Sequence, residues 1–220
     1  MKKMFQIWAM ISVVFLFFAG NAIAGKSALE EIYAAKTIVV STDANYAPQS
    51  FLNDKGELEG FDVSVAKEVA KRLGVKVKFI TPDWDLITAG KWGKRWDISI
   101  GSMTPTKERK NALLFTLPYY SSPAQFAIHK DNTDIKTLAD LAGKRIGIAG
   151  ETTNERYLQR DLSIEDVKIV YQDWKPGKLQ TYPTDANHIE DLSLGDGLRL
   201  DAIFSSKQTI AEAIRSGCGK

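Results

Sequence analysis

The sequence lacks most of what would tie a protein to disulfides, metals or nucleic acid. One cysteine, Cys218, stands in 220 residues, so the chain cannot form an internal disulfide and must rely on an ordinary hydrophobic core. Histidines number two, His129 and His188. No metal-ligand cluster, nucleotide-binding glycine loop or nucleophile triad can be assembled from motifs, so no cofactor is expected. The formal charge is only +2. Two of the lysines lie in the first 24 residues, which hold no acids, so the rest of the chain is balanced and nucleic acid is not an expected partner.

What is present begins with an export signal. Lys2 and Lys3 precede an apolar run from Met10 to Ala19, and Ala22-Ile23-Ala24 offers small residues to a signal peptidase. The other reading, a retained anchor, needs about 20 apolar residues and does not find them. Cleavage after Ala24 is therefore expected. No cysteine near the cut could carry a lipid, so the mature protein is expected free in a periplasm. About 196 residues then remain, enough for one large or two small domains, and 44% hydrophobic content suits a folded soluble protein.

Along this remainder, strand-like and helix-like segments alternate. Thr37–Ser41 reads as a buried strand, Asn53-Asp54-Lys55-Gly56 as a hairpin turn, and Asp62 as the cap of a helix whose face is Val65, Ala66, Val69, Ala70 and Leu73. Gly74 offers its left-handed stop. Further strands are predicted at Val75–Ile80, Trp96–Ile100, Gln125–Ile128, Arg145–Ala149, Val167–Tyr171 and Leu200–Phe204, with helices after Asp83, across Ile135–Leu141 and at Thr209–Arg215. Such alternation argues for an α/β fold with mostly parallel sheets, in which ligands gather at the carboxyl ends of strands. Pro118 to Pro123 is extended by its two prolines and is the best place for a crossover between two lobes. The expected division is 1–24 signal, 25–120 lobe one and 121–220 lobe two, with a long connection from Gln172 to Asn187.

Three groups of residues follow predicted strands and could recognise a small zwitterion. Arg109, downstream of Gly101-Ser102-Met103-Thr104, supplies a guanidinium fork for a carboxylate, with hydroxyls and amides converging beside it. By itself such an arginine is more often a surface charge. Thr152 and Thr153 open a predicted helix whose first amides and dipole also favour an anion, although helix capping is their commoner use. Asp43 and Tyr46 follow the first strand and Trp84 the next. The aromatics could flank a side chain and Asp43 could meet a cation or donor, or the rings could simply fill the core.

The segments Thr42 to Pro48, Gly60-Phe61-Asp62-Val63, Asp97 to Arg109, Phe115 to Tyr120 and Gly143 to Gly147 stand in an order and spacing that resemble the polar amino-acid-binding proteins of ABC importers, across essentially the whole mature chain. The resemblance implies the type II periplasmic-binding-protein fold, two lobes of mostly parallel sheet flanked by helices, closing on an amino acid. It implies that Arg109 clamps the α-carboxylate with Thr104 and the amides of Thr152 and Thr153. Ser102 would help hold the α-ammonium, while Tyr46 and Trp84 flank the side chain. The implied partners are the small ligand and a membrane permease, and a monomer is expected.

Three departures qualify the match. Ser205-Ser206 stand where many relatives place an aspartate for the ammonium, so Ser206 takes that position and Asp43, Asp185 or another acid must supply the charge. Ser64 replaces a usual acid. The final return of the chain to lobe one is missing, an expected shortfall of about 40 to 60 residues that would leave apolar surface uncovered on lobe one. The same architecture also resembles exported dehydratases acting on cyclic acids, for which Glu151 is the one suggestive acid, and a sensory module is a third possibility.

Overall fold

A computed structural model describes residues 26–217; the predicted signal segment and Cys218 lie outside the described residues. The described residues fall into two compact units, 26–35 and 36–217. In the first, α1 (Ala28–Ala35) begins with a reciprocal cap: Glu30 N donates to Ser27 Oγ at 3.3 Å and Ser27 N donates to the Glu30 carboxylate at 2.7 Å.

The second unit holds both lobes. In lobe one, β1 (Thr37–Ser41) lies between β5 (Lys76–Ile80) and β6 (Ile98–Ser99), all parallel. Alternation along β1 buries Ile38 and Val40 almost completely. Beside this sheet runs a small antiparallel meander of β2 (Asn45–Tyr46), β3 (Ser50–Leu52) and β4 (Leu58–Glu59). Its turn is the expected one, with Asn53 Oδ1 accepting from the amides of Lys55 and Glu57, both at 2.9 Å.

Helix α2 (Phe61–Leu73) buries Val63, Ala66 and Ala70 and stops at Gly74, whose φ of 69° is the left-handed cap expected for it. Its start differs from the sequence reading. Gly60 is the cap position, and Asp62 sits in the first turn with its side chain turned inward rather than capping. Gly60 has φ 123°, and a Cβ there would lie 2.3 Å from Gln49 O. The glycine thus lets the helix begin against the Pro48–Gln49 backbone, where Asp62 N donates to Gln49 O at 2.8 Å.

Lobe two is a four-stranded sheet in the order β7-β10-β8-β9. The strands β8 (Arg145–Ala149), β9 (Lys178–Tyr182) and β10 (Ala202–Ser206) are parallel, and β7 (Ala124–Ala127) pairs antiparallel to β10. Every residue of β10 is buried. Ala202 and Phe204 face a core with Ile146, Ile148, Leu141 and Leu158, while Ile203 faces the opposite core with Leu192, Leu200 and Ile210. Burial on both faces of the sheet is what makes consecutive residues 202–204 of this central strand apolar. Short helices α3 (Trp84–Thr88), α4 (Lys107–Lys110) and α5 (Thr153–Gln159), together with α6 (Asp185–Ser193) and α7 (Lys207–Arg215), complete the fold.

Several predicted elements need correction. Val167–Tyr171 is not a strand; Val167 and Val170 are exposed, and β9 lies instead in the stretch read as a long connection. The cause is pairing: Leu179 and Thr181 align with Ile146 and Ile148 on the edge of β8, whereas Val167 makes only an isolated bridge to Ile164. Ile135–Leu141 contains only a 3-10 turn at Leu138–Leu141, and the strand at Trp96–Ile100 shrinks to β6. Leu114 and Leu117 are almost fully exposed.

Gly60→Ala is expected to destabilise the protein by about 2 kcal/mol or more, because the new methyl meets a carbonyl and the φ is unsuited to alanine. Urea denaturation measures this, and an unchanged midpoint would contradict it.

Candidate functional site

The carboxyl ends of strands in both lobes converge on one cavity. Its empty space, including the open mouth, is about 620 Å³, of which about 80 Å³ is room for water-sized groups. The expected residues Asp43, Tyr46, Trp84, Gly101, Ser102, Thr104, Arg109, Thr152 and Thr153 all line it. Ser206 does not; Ser205 does. Successive residues of a strand point to opposite faces, and Ser206 instead caps α7, its Oγ accepting from Thr209 N at 3.3 Å and donating to Thr209 Oγ1 at 2.9 Å.

Arg109 is placed by α4, which Thr106 caps by accepting from Arg109 N at 3.2 Å. Its side chain spans the lobes. Nη1 donates to Thr104 O at 3.2 Å and Nη2 to Glu151 O at 2.7 Å, while Cζ lies 5.3 Å from the centre of the Trp84 ring. Trp84 Nε1 donates to the same Glu151 carbonyl at 3.1 Å. Glu151 presents that carbonyl from a left-handed conformation, φ 54°, the kind of strain that gathers where geometry matters. Arg109 is only 9% exposed. Desolvation lowers its pKa to about 10, against the partial support of the Glu108 and Glu151 charges. Among the described residues, none of the ion pairs involves Arg109, so the buried guanidinium meets carbonyl dipoles and a ring but no direct counter-charge.

Ser102 is held from below by a group the sequence reading missed. It has φ 59°. Its Oγ donates to Asp62 Oδ2 at 2.5 Å and accepts from Tyr120 OH; its amide donates to Tyr119 OH at 3.3 Å, and Tyr119 OH donates to Asp62 Oδ1 at 2.8 Å. Asp62 has no exposed surface, and burial pushes its carboxyl upward against the two hydroxyl bonds. The motif position of Asp62 was legible; that the side chain points away from its own helix terminus was not.

From lobe two come Thr152 and Thr153. The Thr152 hydroxyl caps α5, accepting from Glu155 N at 3.2 Å and donating to Ala149 O at 2.7 Å. First-turn amides have no carbonyl partner inside their own helix. Asp185, raised in the sequence as one of several acids that could answer an ammonium, also lines the cavity together with Asn154, Pro183 and Thr184. Asp43 Oδ1 accepts from Asn45 N at 2.6 Å, a local turn bond. Tyr46 is raised above the usual phenol range, chiefly by burial. No group of three or more His, Cys, Asp or Glu able to hold a metal, and no helix long and apolar enough to cross a membrane, occurs among the described residues.

Two α/β lobes whose strand ends meet around a polar cavity define the type II periplasmic-binding-protein fold. The chain belongs to the bacterial extracellular solute-binding proteins, family 3, whose model matches residues 38–216. It is 32% identical over 206 residues to the L-cystine-binding protein TcyJ of Escherichia coli K12, covering 90% of this chain and 77% of that protein. It is 31% identical to the histidine-binding periplasmic protein of Salmonella typhimurium, covering 80% of this chain and 62% of that one. Among solved structures, it matches the ancestral amino acid-binding protein AncCDT-1, a precursor of cyclohexadienyl dehydratase, with a TM-score of 0.74 at 32% identity over 86% of this chain and 78% of the other. The arginine-bound truncated ArgBP of T. maritima gives a TM-score of 0.72 at 27% identity, covering 86% of this chain and 82% of that one. Membership makes this a solute-binding protein rather than an enzyme.

Burial above all, with the Asp185 charge adding to it, holds the Asp43 carboxyl above the usual aspartate range, against the bonds from the Asn45 and Ala44 amides. The folded state therefore binds this proton more tightly than the unfolded chain, and the contribution is lost as pH rises through the folded pKa. Asp43→Asn keeps an oxygen for Asn45 N, and without ligand is expected to gain stability relative to wild type between about pH 4 and neutrality. Urea melts at both pH values check this; a difference that does not move with pH contradicts it.

Proposed function

We propose that the protein captures a small zwitterion, an amino acid, in the periplasm and delivers it to the permease of an ABC importer. The observation that carries this reading is Arg109: a guanidinium withdrawn from water, with no carboxylate paired to it among the described residues, at a cavity lined from both lobes. A buried charge without a partner is costly, and a ligand carboxylate is the group that fits a guanidinium fork. Thr104 beside it and the first-turn amides at Thr152 and Thr153 add donors for the same anion. Tyr46 and Trp84 flank the rest of the ligand.

Relatives named for cystine, histidine and arginine binding support the amino-acid class. Export with cleavage after Ala24 agrees with periplasmic relatives. In this reading residues 25–120 and 121–220 move as two lobes, with Pro118 to Pro123 among the connections that flex. Contacts made to both lobes at once stabilise closure, and the closed form is what the permease recognises.

Arg109→Ala is expected to weaken amino-acid binding by about 2–5 kcal/mol, at least about 30-fold, while circular dichroism shows a folded chain. Calorimetry that finds the affinity intact would remove the clamp from the mechanism.

A further inference from the structure

Among the described residues, three charged side chains line the cavity: Arg109, Asp43 and Asp185. Asp43 follows β1 in lobe one, and Asp185 is the first residue of α6 in lobe two, so the two acids approach the same space from opposite sides. Asp185 is not a loose surface acid. Its side chain is 12% exposed. Ser205 Oγ donates to Oδ1, and His188 Nε2 lies 3.0 Å from the same oxygen.

That support is built deeply into the lobe. His188 is fully buried, and its Nδ1 has no partner, so its one polar contact is with Asp185 and fixes that carboxylate rather than forming part of a wider network. Gly147 on β8 permits the arrangement, since a Cβ there would lie 2.5 Å from Leu200 Cδ1 and 3.0 Å from His188 Cβ. The close packing of α6 on the sheet therefore sets where Asp185 stands. Ser205 reaches it because β10 turns that residue, and not Ser206, toward the cavity.

Charge counting then decides the ligand. With histidine counted as neutral, one guanidinium and two carboxylates leave the cavity with a net charge of −1. If the ligand carboxylate is assigned to Arg109, as the proposed function has it, both acids are left to be answered by the ligand. A neutral zwitterion offers one cation and strands the second carboxylate in a desolvated space, which is costly. A ligand with two cationic groups and one carboxylate satisfies all three side chains.

Resting on that assignment of Arg109, we propose that Asp185 is a specificity-determining residue and that the Asp43–Asp185 pair selects an amino acid carrying a second positive charge on its side chain. The α-ammonium and the side-chain cation each take one of the two acids. Because the acids belong to different lobes, the ligand joins the lobes through its cations as well as its carboxylate.

Calorimetry with the purified protein tests this by pairing each cationic amino acid with an uncharged counterpart: L-arginine with L-citrulline, and L-lysine with L-norleucine. The wild type is expected to bind L-arginine or L-lysine at least about 50-fold tighter than its counterpart. Asp185→Asn is expected to weaken that binding at least about 10-fold. The ligand comparison needs no variant, so it stands even if Asp185→Asn unfolds. Citrulline or norleucine binding within threefold of its cationic partner overturns the proposal and leaves amino-acid capture in place, and so does a folded Asp185→Asn protein with undiminished affinity for the cationic ligand. A folded wild type that binds none of the common amino acids overturns the proposed function itself, and this inference with it.

Discussion

A positive charge removed from water sets the terms for everything around it. Arg109 lies in that position, and the protein meets it with dipoles: the Thr104 carbonyl from its own lobe, the Glu151 carbonyl from the other, and the face of Trp84. These contacts orient the guanidinium without neutralising it. Burial is the main cause of the downward shift of Arg109, and for the same reason an anion from solution has more to gain here than at an exposed arginine, where water would screen it. Glu151 is the counterpart on the second lobe. Its backbone, held in the left-handed region, offers one carbonyl to two donors.

The rest of the cavity is organised by supports one step removed from it. Asp62 is buried at the start of α2 and ties Ser102 and Tyr119 together, so the loop after β6 is fastened to a helix rather than left free. His188 and Ser205 do the same for Asp185 in lobe two. In both places an acid is fixed by hydroxyl or ring donors beside a tightly packed glycine, Gly60 against backbone in one lobe and Gly147 against side chains in the other. Locking side chains in this way reduces what must be ordered when a ligand arrives.

Ion pairs also bridge the lobes at the rim, Glu108 with Arg156 at 3.4 Å and Lys110 with Glu165. The acids are well exposed, and pairs of this kind contribute little, about 0–1 kcal/mol each. Lys107 N donating to Ser163 O at 3.1 Å adds a backbone link nearby. The rim therefore biases the approach of the lobes without fixing it, and the larger electrostatic demand remains inside the cavity.

Much of this was legible before any coordinates, because it is carried by local chemistry. The period of α2 and its stop at Gly74, the alternation of β1, the apolar run of β8 and the motif spacing that places Arg109, Ser102, Asp43 and Thr152 after strands all follow from neighbouring residues alone. Where long-range pairing decides, the sequence was silent or misleading. Val167–Tyr171 has the composition of a strand, yet Lys178–Tyr182 is the segment that finds an edge on β8. Asp62 has the position of a cap, yet a glycine two residues earlier lets it turn toward residues 40 and 57 positions away. Ser205 and Ser206 are indistinguishable by type, and only the pleat of β10 separates the residue facing the cavity from the one capping a helix. The sequence determined the kind of lobe and the residues available at its strand ends, since propensity and periodicity are local. Which acids line the cavity was decided by the tertiary structure, because Asp43 and Asp185 come to one cavity only when two lobes, each with its own core, bring their strand ends together.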